Sequence, residues 1–515
     1  MDRFPVLSLL VLLSSLGAAP PTSKLVSLDK NGRLAYTPWN EQGDRIPDFS
    51  TCGYKGGLIP IPNVPVKRTL EPAAGDNRKR IQQALDELAA LPLEDGIRGA
   101  LLLKRGRYRV EGQLYMRTSG VVLRGEGDGE KGTVLVATQR KQHTLIKVGG
   151  EGRPKEVADT RTKVTDSYVP VGAATLRVEN PAPFSVGDLV IVHRPSTKEW
   201  ISEIAMDRIK EHHKRVRQWK PGSYDLRFQR VIVAVRDREL ELDAPLVCSL
   251  DAKFGAGSVY RYTWDERIEN AGVENLRGES EFDHTKADRK RKGEFVDENH
   301  GWNFLSFGAV RDGWARKVTS QYFGYSCVAI SSPASRITVL GSACLDPVSK
   351  VSGGRRYSFA ISGQLNLVRH CRTRGGRHDF VMHARVPGPN VFLECMAEKA
   401  YSDSGPHHRW ATGTLYDNVV VKGNSLNVQD RQWSGTGHGW AGANMVFWNC
   451  TARSFRCQKP PTAQNIGIGC RGPLISKGGA KQHPAGWWES PGKPVEPRSL
   501  YLQQVAEREA RAKER

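Results

Sequence analysis

Acidic residues are scarce in this chain relative to basic ones: 55 Asp and Glu against 76 Lys and Arg leave a formal net charge of +21 at pH 7. Such an excess bears on partners and solubility rather than on fold. Nucleic acid is the obvious polyanion, but no recognisable DNA- or RNA-binding module is present, so it is not the expected partner. Long apolar runs are absent after the first residues, which excludes a membrane-spanning helix. The nine cysteines form no CxxC pair, which removes the usual structural zinc spacing, and metal is not expected. Helices are also missing between the strand-like segments, which argues against βαβ units.

What is present begins with an export signal. Met1 to Ala19 carries Arg3, an apolar run from Val6 to Leu13 and the small residues SSLGAAP, too short to span a bilayer. A secreted or periplasmic monomer is expected. Four short apolar segments then reach a cysteine in similar fashion: SRITVLGSAC at Cys344, LNLVRHC at Cys371, NVFLEC at Cys395 and MVFWNC at Cys450, with LYDNVVV (415–421) filling the gap before the last. Recurrence at 20 to 50 residues marks a solenoid whose coils bury their apolar faces against their neighbours. Free cysteine packs there as a small hydrophobe. Bridges Cys450–Cys457 or Cys457–Cys470 remain open.

The fold class expected is all-β, a right-handed parallel β-helix. The helix-forming stretch 75–96, with Ile81, Ala84, Leu85, Leu88 and Leu91 on one face, is predicted to cap the first coil. Plain alternation in FSVGDLVIVHRP and FQRVIVAVRDRELELDAPL predicts an inserted antiparallel β subdomain over 170–263, with a helix over 201–219. The remaining divisions are 20–64, irregular; 65–169, cap and first coils; 264–475, main β-helix; and 476–515, tail and terminal helix.

Chemistry concentrates in GRHDFVMHA (376–384), SGPHHRWATG (404–413) and SGTGHGWAGA (434–443). His383 to His408 is 25 residues and His408 to His438 is 30, close to one coil each, so these histidines stack on one side. Together these residues and motifs resemble the secreted pectate-lyase-like, or pectin lyase fold, β-helix proteins, over most of residues 50–500. The resemblance implies the fold and a carbohydrate partner; that superfamily spans lyases, hydrolases, isomerases and binding proteins. The calcium-binding aspartate cluster and paired-Asp signature of its best-known enzymes are not evident.

Arginines recurring coil after coil, among them Arg355, Arg356, Arg372, Arg374, Arg377, Arg385 and Arg409, point to an anionic, uronic-acid polysaccharide. The first expectation is β-elimination, with His408 or His438 as base, Asp379 orienting His378, and Arg409, Arg377 and Arg356 holding carboxylates. His407, Trp410 and Trp440 complete the expected substrate contacts. Hydrolysis is the second, with Asp403 and Asp430 as its carboxylates. The third is glycan binding without chemistry, through exposed Trp410, Trp433, Trp440, Trp487 and Trp488. DENH (297–300) offers oxygens for Ca2+, with a polar turn as the other reading. Neighbours on a strand point to opposite faces, which counts against a His407–His408 metal pair.

Overall fold

The structure, a computed structural model, describes residues 21–475 and 483–514. The expected export signal and residues 476–482 of the expected tail lie outside them.

Short strands stack in parallel into three ladders, which makes the body a parallel β-helix. The first ladder runs from Val66–Leu70 through Gly99–Leu103 and Val121–Gly125, then directly to Gly272–Ser280. It continues coil by coil through Asn366–Arg369 and Thr414–Asp417 to Ile466–Ile468 and Trp487–Glu489, beyond the boundary expected at 475. The second ladder runs from Gly106–Val110 and Thr133–Ala137 to Ala343–Leu345, Arg372–Arg374, Met396–Glu398, Val420–Val421 and Thr451–Ala452. The third ladder comprises Leu114–Met116, His143–Val148, Gly301–Phe307, Ser326–Ile330, Tyr357–Ile361, His378–Met382 and Gly405–Pro406. Strands covered on both faces need no polar alternation, and YSFAI and HDFVM are buried throughout.

Between the first and second ladders each coil turns at one residue with left-handed backbone. Gly341, His370, Glu394, Asn418, Asn449 and Gly469 occupy this corner with φ of 60, 54, 50, 53, 51 and 67°. The next residue points into the core, and in four coils it is a cysteine. Each thiol donates to a carbonyl one coil back: Cys371 to Val339 O at 3.7 Å, Cys395 to Val368 O at 3.4 Å, Cys450 to Tyr416 O at 3.1 Å and Cys470 to Phe447 O at 3.5 Å. All nine cysteines are free and buried, so neither bridge considered forms. Cys344 does not join this stack. Its coil turns earlier, at Gly341, so it pairs in register with Thr373 in the second ladder.

Between His143–Val148 and Ile268–Glu269 the chain leaves the ladders and builds an antiparallel sheet. Its strands start upstream of 170, at Lys155–Glu156 and Thr162–Lys163, and centre on Leu189–Arg194, Leu226–Arg236 and Ser258–Thr263. The helix expected over 201–219 is confined to Lys198–Glu203. Ala205 takes left-handed backbone, φ 59°, and the following arm instead turns Met206, Ile209, Val216 and Trp219 into an apolar cluster shared with Trp410 and Trp440 of the β-helix.

The Arg78–Ala89 helix buries Ile81, Ala84, Leu85 and Leu88 and packs on the opening strands of the first and third ladders. The two described ends meet on the first ladder, where Leu25, Val26, Leu500 and Tyr501 share one apolar cluster. No described helix is long and apolar enough to cross a membrane.

Candidate active site

The third ladder assembles the site by register. Tyr357 pairs with His378 on the next coil, and Met382 with Pro406 on the one after. His407 therefore follows alongside His383, its N–H donating to Met382 O at 2.8 Å. The strand ends at Pro406, and Arg409 and Trp410 bend the chain with φ of 58° and 59°. With no strand to enforce alternation, His407 and His408 both line the same cleft. The loop after Asp430 brings Arg431 and His438 over from the following coil. The cleft encloses about 620 Å³ between Tyr325, Tyr357, Arg377, His383, His407, His408, Arg431 and His438.

The imidazoles lie close together. Ring centroids are 4.6 Å apart for His378–His407, 5.3 Å for His407–His408, 5.1 Å for His407–His438 and 5.0 Å for His408–His438. Two are tied to phenols: Tyr325 Oη lies 3.2 Å from His383 Nε2, and Tyr357 Oη 3.0 Å from His407 Nε2. The Nδ1 atoms of His407, His408 and His438 are buried without a hydrogen-bond partner.

Burial sets the protonation state. It pushes His378 and His383 down to about 4, His438 to about 3 with Arg431 and Arg409 adding to the effect, and His408 to about 2 with His383 and His438 adding. His407 is lowered in the same way, by burial first and then by His378 and Arg431. Burial likewise raises Tyr325 and Tyr357. At neutral pH the cleft thus presents uncharged imidazoles and phenols beside two guanidinium ions. Beneath it, burial would raise Asp403, but Arg431 at 2.9 Å and His378 bring it to about 2. His378 Nδ1 faces Asp403 O at 2.5 Å.

Several expected residues stand elsewhere. Asp379 does not orient His378: as its strand neighbour it points into the core, where Ser358 Oγ donates to it at 2.7 Å and burial raises it to about 6. Arg356 is only 2% exposed and holds Ser349 O, Gly375 O and Glu294, so it clamps the fold rather than a substrate carboxylate. Arg409 bonds Thr436 and Arg385 bonds Ser223 O, while Arg372 and Arg374 lie on the second ladder. Of the expected arginines Arg377 alone lines the cleft, and Arg431 joins it. Trp410 and Trp440 are 0% and 1% exposed under the antiparallel unit, which removes them as sugar-stacking surfaces; Trp433, Trp487 and Trp488 are half-buried. Asp430 is paired with His483 at 2.9 Å. In DENH, Asp297 is held by Arg140 and Lys286 and Glu298 by Arg355, so protein cations occupy the oxygens offered for calcium. Among the described residues no three His, Cys, Asp or Glu side chains are grouped to hold a metal ion.

Tyr325, Tyr357 and Arg431 went unassigned from sequence. Aligning GYSCVAI, RRYSFAI and GRHDFVM as successive coils would have placed Tyr357 on His378, and Tyr325 on Arg356 and Arg377. Arg431 carries no such signal, because it sits in a loop.

No family profile matches the chain, and no curated protein matches it. Solved structures similar to it include the Gp54 tailspike of Acinetobacter baumannii bacteriophage AP22, in complex with capsular saccharide, at 10% identity and TM-score 0.38 over 82% of this chain and 71% of that one. The polygalacturonase from Erwinia carotovora ssp. carotovora aligns at 12% identity and TM-score 0.37, over 85% and 98% of the two chains. The catalytic domain of a GH87 alpha-1,3-glucanase in complex with nigerose aligns at 11% and 0.34, over 86% and 69%.

Proposed function

We propose that the protein is an exported polysaccharide lyase that cleaves a uronic-acid-containing glycan by β-elimination. One observation carries the reading: the described residues of the cleft wall include four neutral imidazoles, two phenols and two arginines, and no Asp or Glu. Arg377 and Arg431 neutralise the uronate carboxylate and the charge that develops beside it. His408, with an uncharged ring in the open cleft, removes the proton at C5. The C5–H electrons form the C4–C5 double bond, and the C4–O bond breaks. With its proton on Nε2, His407 donates to Tyr357 Oη, which leaves the phenol hydrogen free for the departing oxygen. His438 stands 5.0 Å from His408 and is the second candidate base. In this reading the solenoid is right-handed, the Arg78–Ala89 helix is its cap and residues 155–263 are an insertion.

Hydrolysis by paired carboxylates is disfavoured because Asp403 and Asp430 are each bound to a basic partner. The test is a panel of uronic-acid polymers, followed by ultraviolet absorbance of unsaturated products and by mass spectrometry in 18O water. Unsaturated ends without solvent oxygen are expected. Reducing ends carrying solvent oxygen would overturn elimination, and binding without products would favour the glycan-binding reading.

A further inference from the structure

A second cleft, of about 480 Å³, follows the seam between the antiparallel unit and the β-helix. It starts where the histidine cleft ends: His383 lines one, and the next two residues, Ala384 and Arg385, line the other. Three exposed arginines face it, Arg153 and Arg227 from the antiparallel unit and Arg385 from the β-helix. Its wall contains one carboxylate among the described residues, Asp225, and that group is already engaged. His193 Nε2 lies 2.8 Å from it, and Ser196 donates to it through N at 2.9 Å and Oγ at 2.8 Å, whereas Arg227 stands off at 3.6 Å. Arg385 gives one N–H to Ser223 O at 2.9 Å, which leaves most of its donors for a ligand.

The seam is also built rather than incidental. Buried Arg230 crosses it to Gln364 Oε1 at 3.1 Å and Gly388 O at 3.2 Å, and Trp200 packs edge-on to Trp410 at 4.9 Å. Trp264 lines the cleft as a fixed plane: its Nε1 donates to Glu151 O at 2.8 Å and Arg267 covers it at 4.7 Å. A preformed groove that combines guanidinium forks, one aromatic plane and the hydroxyls of Ser332 and Ser362 suits a pyranose chain carrying carboxylates.

We propose that this seam binds further uronate units of the same polymer, beyond the pair cleaved at the histidines; for its substrate class the inference rests on the proposed function. The substrate is then a long polyanion rather than an oligosaccharide end. The test compares wild type with Arg153→Glu/Arg227→Glu and, separately, Arg385→Glu, by retardation in gels cast with polygalacturonate, alginate or hyaluronate, and by KM for polymer against trisaccharide. We expect at least about tenfold weaker retention of the double variant, a shallower salt dependence, and a KM penalty larger for polymer than for trisaccharide. Retention of wild type by none of the three polymers, or equal retention of wild type and double variant, overturns the inference. Arg385→Glu checks the β-helix side, and its far-ultraviolet spectrum guards against misfolding. Weakened retention in a protein that forms no unsaturated product would sustain the seam and sink the lyase; intact turnover with unchanged retention would do the reverse.

Discussion

The two faces of the third ladder differ in kind although the same strands supply both. His378 and Asp379 are neighbours, yet one packs against His407 behind the histidine cleft and the other reaches the core beside Ser358. Inward-facing Phe359, Phe380 and Met382 belong to one continuous apolar cluster, while outward positions collect Tyr357, His383 and His407. Simple alternation does not carry the split, since Tyr357 and Phe359 are two residues apart yet face opposite ways; the stack sets the inner face, and the outer face is free to vary.

The sharpest way to break that comparison is to remove outward groups. His408→Ala and Tyr357→Phe are each expected to cut turnover by at least about 100-fold, read as the initial rate of unsaturated product, with circular dichroism unchanged. Asp403→Asn, which frees Arg431, should cost less, about tenfold, and Asp430→Asn little. Loss of the fold in His408→Ala would make that histidine a structural residue.

Inward changes should behave oppositely. Phe380 is fully buried and packs on Phe359 and Phe392, so Phe380→Ala is expected to lower stability by about 3–5 kcal/mol in denaturant titrations. Turnover per folded molecule should persist well below the unfolding midpoint. A variant with native stability and no turnover would show that the faces are not separable.

A smaller effect is expected at Gly435. Its φ is 59°, and a Cβ there would lie 2.2 Å from His438 Cε1. Gly435→Ala should displace that ring and reduce turnover about tenfold, since small displacements of catalytic groups are costly. Unchanged kinetics would remove His438 from the mechanism.

The faces also titrate in opposite senses. The buried histidines bind protons less readily folded than unfolded, so their contribution is present above the ordinary histidine range near 6.5 and is lost as pH falls toward 4. Asp379, raised to about 6, keeps its proton when folded; its contribution is present below the usual carboxylate range and is lost as pH rises through about 6. Over the described residues eight lowered histidines stand against three raised aspartates, Asp312, Asp379 and Asp417, which predicts that the melting temperature drops by several degrees between pH 7 and pH 5. Asp379→Asn should leave turnover unchanged and make the drop slightly steeper. A melting temperature that rises on acidification would contradict the neutral-imidazole cleft.

Local pattern alone determined much of this molecule. Coil spacing placed the strands ending near Cys371, Cys395 and Cys450, alternation marked strands in the antiparallel sheet, and one apolar face marked the Arg78–Ala89 helix, because burial by nearest neighbours leaves a periodic trace. Clustering of His383, His407, His408 and His438 was legible for the same reason, as one coil returns a residue to the same side. What only tertiary structure decided is which neighbours count. The strand turned Asp379 and its neighbour Phe380 both inward, against simple alternation, and the end of a strand at Pro406 let two adjacent histidines share a cleft. Docking of the antiparallel unit buried Trp410 and Trp440, while a loop from the next coil supplied Arg431. Those outcomes depend on contacts between segments far apart in the chain, and such contacts leave no period in the sequence to read.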